Sequence, residues 1–173
     1  MSRTTVKIID DDYRIKDIAE LSNSWGSAAF VWTALAKKYL EDEMAFFREG
    51  GKQLWALVDD ERLSDAERIV LASTFDHAII ERARFADAAK AFREFSHYHG
   101  TAGNANHLPA IADLLDEWRE RPCVGMCFQQ TSVSDDPWHG EYDAEAEEYK
   151  PFDFERDRRH FFVFAEYGGK ATD

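Results

Sequence analysis

The sequence predicts an α+β domain. A small, largely antiparallel sheet, made of an N-terminal strand and two or more C-terminal strands, packs against a helical middle region. Three observations carry this expectation. Val6, Ile8 and Ile9, behind Thr4 and Thr5, make a β-prone run at the start. Apolar residues then recur at three- and four-residue steps through the middle. From Cys123 onward two runs, Cys123–Phe128 and His160–Tyr167, favour pleated surfaces. A chain of 173 residues with 45% hydrophobic and 14% aromatic side chains suffices for one domain, 1–173, with its own core.

The elements follow in order. The first strand ends at Asp10-Asp11-Asp12, and a connecting piece leads to Ser22-Asn23-Ser24, any of which can cap a helix. Trp25, Ala28, Ala29, Trp32, Leu35, Ala36, Tyr39 and Leu40 form its apolar stripe. Phe30, Val31 and Ala34 lie off that stripe, which predicts burial on more than one side. A second helical piece spans Asp42 to Arg48, stopped by Gly50-Gly51. Leu54 to Val58 suits strand and helix equally. Ser64-Asp65-Ala66-Glu67 has capping-box spacing, and Thr74 restarts a helix through Ala78, Ile79 and Arg82. Phe85, Ala88, Phe92 and Phe95 repeat at helical steps. Asn106 caps a further helix with Pro109 in its first turn and Leu108, Ile111, Leu114, Leu115 and Trp118 on its apolar face. Cys123–Phe128 is apolar on both alternating sets and reads as a central strand covered on both faces. His160–Tyr167 reads as its antiparallel neighbour.

Bulk charge narrows the partners. A net charge of −13 disfavours nucleic acid and anionic membrane surfaces, both of which demand Lys and Arg. It steers the protein toward a basic protein partner instead. No run reaches the length of a membrane span, and the first residues lack the apolar core of a signal peptide. Cys123 and Cys127, four residues apart on a strand, would share a face about 13 Å apart, too far for a disulfide. Two reduced buried thiols in a cytoplasmic protein is the expectation.

The excursion over residues 132–157 holds the strongest functional signal. Between Ser134 and Asp157 ten acids and two bases leave a local charge of −8, more than half of the chain's −13. Trp138, His139, Tyr142, Tyr149, Phe152 and Phe154 interleave with those acids. Solvating acidic runs are poor in rings, so this one is expected to fold against its own core or against a partner. As partner contacts the sequence nominates Trp138 and Tyr142 for buried area, and Asp135, Asp136 and Glu141 for steering and pairing.

Catalytic signals are sparse. His97 and His99, with His107 nearby, are the candidate metal ligands, although on a helix the first two diverge by about 200°. His77 and Glu81 would share a helical face beside Asp76. There is no nucleophile elbow, no phosphate-cradling glycine motif and no cysteine in an activating setting, so neither a catalytic residue nor a cofactor is nominated.

Two fragments resemble a known family. VKIIDDDYRIKDIAEL is similar to the first strand and helix of response-regulator receiver domains, and Lys150-Pro151-Phe152 to their late Lys-Pro motif. The resemblance implies magnesium-binding acids after the first strand and strictly alternating strands and helices. Long helices without alternation after Ser64, and the late position of Lys150, depart from that pattern.

The leading expectation is therefore a small acidic cytoplasmic interaction module. It shares the charge and size logic of immunity and inhibitor proteins that neutralise a basic partner. A metal-dependent hydrolase built on the histidines around 97–107 is the alternative from enzyme chemistry. A structural homo-oligomeric subunit, a homodimer for example, is the third.

Overall fold

The computed structural model describes residues 3–22, 27–48, 51–75, 77–100, 106–132 and 136–154. Its main sheet holds β1 (Arg3–Ile9), β2 (Ile15–Ser22), β3 (Ile79–Glu81) and β4 (Gly125–Gln129) in the order β2-β1-β4-β3. Every neighbouring pair is antiparallel. The α+β class and the helical middle are as the sequence predicts.

β2 replaces the expected connecting piece. Asp10 makes the turn: its carboxylate accepts the Asp12 and Arg14 amides at 3.0 and 2.9 Å, and Tyr13 adopts a left-handed φ of 59°. β2 is a polar edge strand whose residues are partly or fully exposed, so it shows no apolar run. β3 replaces part of the helix expected from Thr74 to Arg82. His77 has a φ of 63°, which a continuing helix cannot contain, and the β-branched pair Ile79-Ile80 then enters the sheet. His77 and Glu81 therefore share no helical face, and Asp76 lies outside the described residues.

Strand alternation gives the sheet two different faces. Val6, Ile8, Ile80, Met126 and Phe128 point into the main core. Lys7, Ile9, Ile79 and Cys127 lie on the alternate positions, and the last three form a second cluster with Trp138. Cys123 precedes β4 and belongs to the main core, so the two thiols lie in different clusters and not on one face. Both are free and buried, and burial pushes both thiols up, Cys127 strongly.

Helices cover the first face. α1 (Ala28–Leu35) buries Ala28, Val31, Trp32 and Leu35, a band wider than one stripe. Residues 23–26, including the expected Trp25 and the caps Asn23 and Ser24, lie outside the described residues, and Ser22 ends β2. Ser27 precedes α1 with a φ of 105°, and its hydroxyl accepts the His107 amide. α1 continues as a π-helical turn, Ala36–Leu40, closed by Glu41 at a φ of 55°. The expected Asp42–Arg48 piece is a single 3₁₀ turn, Ala45–Phe47. Leu54–Val58 resolves as helix: α2 (Lys52–Ala56) runs into a 3₁₀ turn, Leu57–Asp59. The Trp32 ring stacks on Phe46 at 3.9 Å, and its indole donates to the Thr74 hydroxyl at 2.9 Å.

α3 (Asp65–Ala72) opens with the predicted Ser64/Glu67 capping box. α4 (Phe85–His99) buries the predicted Phe85, Ala88, Phe92 and Phe95. α5 (Leu108–Trp118) starts where the Asn106 side chain accepts the Leu108 amide at 3.2 Å, with Pro109 in the first turn. The expected His160–Tyr167 strand lies outside the described residues; within them, β4 pairs with β1 and β3. Among the described residues no helix is long and apolar enough to cross a membrane.

Candidate functional site

Among the described residues no helix packs on the second face of the sheet, so Ile9, Ile79 and Cys127 need another cover. The excursion supplies it. Trp138 lies across them at 2% exposure, with Phe152 and Phe154 packed beside it. Its indole N–H donates to the Phe128 carbonyl at 2.9 Å, one residue past the last β3–β4 pair, Ile79 with Cys127. Its ring meets His77 at 5.5 Å and Phe152 at 5.6 Å. His77 Nε2 donates to the Pro137 carbonyl at 3.0 Å, and its own backbone is left-handed at a φ of 63°.

The same face carries a charge that must be neutralised. Lys7 is buried, and its ammonium reaches Asp136 at 2.8 Å and Asp17, its cross-strand neighbour, at 2.9 Å. Burial pulls the Lys7 ammonium down; the hydrogen bonds and charges of Asp136 and Asp17 more than reverse this and hold it above the ordinary lysine value. Asp136 also accepts the Trp138 amide at 3.0 Å, so one carboxylate fixes both the salt bridge and the approach of the ring. Two expected contact residues, Trp138 and Asp136, thus face inward. The reason is physical: the apolar sheet face lacked cover, the buried Lys7 ammonium had in the sheet only the exposed Asp17, and the excursion carries groups complementary to both.

Beyond this anchor the chain forms a surface hairpin, β5 (Tyr142–Asp143) and β6 (Glu148–Tyr149). Gly140 and Lys150 close its base through Gly140 N–H to Lys150 C=O and Lys150 N–H to Glu141 C=O, both 2.9 Å. Only glycine fits at 140, because a Cβ there would lie 2.7 Å from the Pro151 carbonyl oxygen and 2.8 Å from that of Lys150. Asp143 organises the turn by accepting the Glu145 and Ala146 amides at 3.0 and 3.2 Å. Tyr142 and Tyr149 pair across the strands with ring centroids 5.0 Å apart, and the His139 ring also lies 5.0 Å from Tyr149. Tyr142 is 54% exposed and Tyr149 52%. Glu141, Glu145, Glu147 and Glu148 are exposed and, among the described residues, unpaired; Lys150 reaches Asp143 at 3.8 Å. Glu141 and Tyr142 are exposed, and Asp135 lies outside the described residues.

The histidines take separate partners. His97 is exposed, with Tyr98 as a ring neighbour at 5.5 Å. His107 Nε2 donates to the Ser22 carbonyl at 2.7 Å. His99 Nε2 donates to Glu67 at 3.1 Å. Among the described residues no group of three or more His, Cys, Asp or Glu side chains is placed to hold a metal ion.

Glu67 marks a cluster that no spacing rule exposes. Its carboxylate is buried and accepts from Lys38 at 2.8 Å, the Tyr39 hydroxyl at 2.8 Å, and both the amide and the hydroxyl of Ser64 at 3.0 Å, besides His99. The π-helical turn is what carries Lys38 and Tyr39 to it. Burial pushes the Glu67 carboxyl up, yet the bonds from Lys38, Ser64 and Tyr39 overwhelm that and bring it down to about 2. A carboxylate so thoroughly satisfied makes a poor base near neutral pH and a strong structural clasp between α3, α4 and the turn after α1. Its only trace in the sequence is the capping-box spacing.

No protein-family model, curated protein or solved structure matches the chain.

Proposed function

We propose that this protein is a protein–protein interaction module whose contact element is the Glu141–Lys150 hairpin, and that it captures a basic partner in the manner of an immunity or inhibitor protein. The observation that carries this reading is the contrast within one segment: Trp138 and Asp136 are locked inside, while Tyr142 and Tyr149 stand more than half exposed beside four unpaired glutamates. A folded anchor lowers the entropic cost of presenting those rings. The surrounding charge speeds encounter with cations and repels acidic partners. Two buried, unbridged cysteines favour a reducing compartment, which supports a cytoplasmic site of action.

The test is affinity capture with the immobilised protein, run in parallel with a Tyr142→Ala/Tyr149→Ala variant. The expected result is a protein of high isoelectric point that is retained by the wild type, released as salt rises, and absent from the variant. The variant's urea midpoint should match the wild type's, because both rings are exposed. Capture that is indifferent to the two tyrosines rules out the hairpin as the contact element.

A further inference from the structure

Apart from tyrosines, the large apolar side chains left open to water sit together on one turn. Among the described residues Met44 is 54% exposed and Phe47 67%, and neither has a hydroxyl to offer water. The 3₁₀ turn sets them side by side. The Phe47 amide donates to the Met44 carbonyl at 2.9 Å, and residues three apart eclipse in that geometry. The turn is braced from behind. Phe47 meets Phe46 edge-on at 5.2 Å, and Phe46 stacks on Trp32 at 3.9 Å and meets Trp55 at 5.9 Å. A braced apolar patch rimmed by charge marks an association surface.

We infer that this patch is the contact between two copies of the chain. Charge selects the occupant. The whole chain carries −13, yet residues 37–52 hold four bases and four acids, a net charge of zero. A cationic protein is drawn to the acidic excursion instead, and an acidic one is repelled by the molecule as a whole. A second copy meets that same repulsion at its acidic faces and escapes it at a neutral one. The rim is also self-complementary. Lys37 pairs with Glu43 at 2.6 Å and Arg48 with Asp42 at 3.1 Å, and both cations are well exposed, so the rim presents both signs. A two-fold axis through the patch lays Met44 and Phe47 of one copy against those of the other and lets these ion pairs continue across the contact. The patch is small, which sets a weak, reversible dimer with a Kd on the order of 10–100 µM. This contact does not require the Glu141–Lys150 hairpin and stands whether or not the hairpin binds a partner.

Sedimentation equilibrium on the full chain, from about 1 µM to about 500 µM, should show the average mass rising toward that of two chains. Association should tighten as salt rises, because screening relaxes the repulsion between two chains of −13 each. That is the reverse of the salt release expected for a basic partner on the hairpin. Met44→Gln/Phe47→Gln should raise the Kd about tenfold or more at an unchanged urea midpoint, since both side chains are exposed in the single chain. Phe47→Leu keeps an apolar side chain and should stay within about threefold of the wild type. Tyr142→Ala/Tyr149→Ala should dimerise like the wild type. In a mixture of isotope-labelled and unlabelled wild-type chain, NOEs between copies should join the Met44 methyl to the Phe47 ring, a readout that needs no variant to fold. A chain that is monomeric throughout the range, a dimer indifferent to the glutamine variant, or a dimer without those NOEs overturns the contact. A monomeric chain whose glutamine variant loses capture of a different protein assigns the patch to that protein and overturns it equally.

Discussion

Replacing Glu67 by Gln removes one charge and almost no volume, so it isolates the electrostatic role of the buried clasp. The carboxyl falls from an ordinary 4.5 to about 2 in the folded protein, which corresponds to roughly 3 kcal/mol of preferential stabilisation of the ionised form. Its side chain is only 6% exposed, so solvent screening takes little from that figure; Lys38 is half exposed and takes rather more. We expect Glu67→Gln to lose roughly 2–3 kcal/mol at neutral pH, measured as a lowered urea midpoint at unchanged slope. Because the folded value is depressed, the contribution is complete above pH 4.5 and is lost as pH falls from there toward about 2. The gap between wild type and variant should therefore narrow across that window. A variant within about 0.5 kcal/mol of the wild type at neutral pH, or a gap that stays constant as the pH drops, would refute the assignment of Glu67 as the ionised centre of the cluster.

The excursion makes three further expectations measurable. Trp138→Ala empties the space over Ile9, Ile79 and Cys127 and should cost about 3–5 kcal/mol, whereas Trp138→Phe loses chiefly the bond to the Phe128 carbonyl and should cost about 1–2 kcal/mol in chemical denaturation. Lys7→Met leaves Asp136 almost buried beside an alkyl chain and should destabilise by about 3 kcal/mol, with Asp136→Asn in the same background restoring a good part of it. Gly140→Ala drives a methyl against two backbone carbonyls that cannot rotate away, so a loss of about 1–3 kcal/mol should accompany shifted Tyr142 and Tyr149 ring resonances.

What the sequence disclosed and what it hid follow from the range of the interactions involved. The α3 capping box, the Phe85–Phe95 stripe and the Pro109 helix start are local signals, and each element lies where its spacing predicts. β4 was legible because it is buried on both faces and its residues are mostly apolar, and β1 because the β-branched Thr4, Thr5, Val6, Ile8 and Ile9 cluster there around Lys7. β2 was not, because an edge strand with exposed polar residues such as Lys16, Asp17 and Glu20 resembles a loop. β3 is three residues long and became a strand through pairing with β4, over forty positions downstream. The candidate site divides the same way. Glu141 and Tyr142 are on the surface because nothing in the fold competes for them. Asp136 and Trp138 turned inward to satisfy Lys7 and the bare sheet face, needs that exist only once β1, β3 and β4 are assembled. Glu67 and His99 meet across 32 residues, and no periodicity links them.

One segment both roofs the second face of the sheet and bears the hairpin, and the two duties are divided by Gly140. Below that glycine, drift is constrained by packing and by a salt bridge. Above it, the loop from Ala144 to Glu147 answers to no core residue and is free to vary. Changes at the tip would therefore leave the roof over the sheet undisturbed.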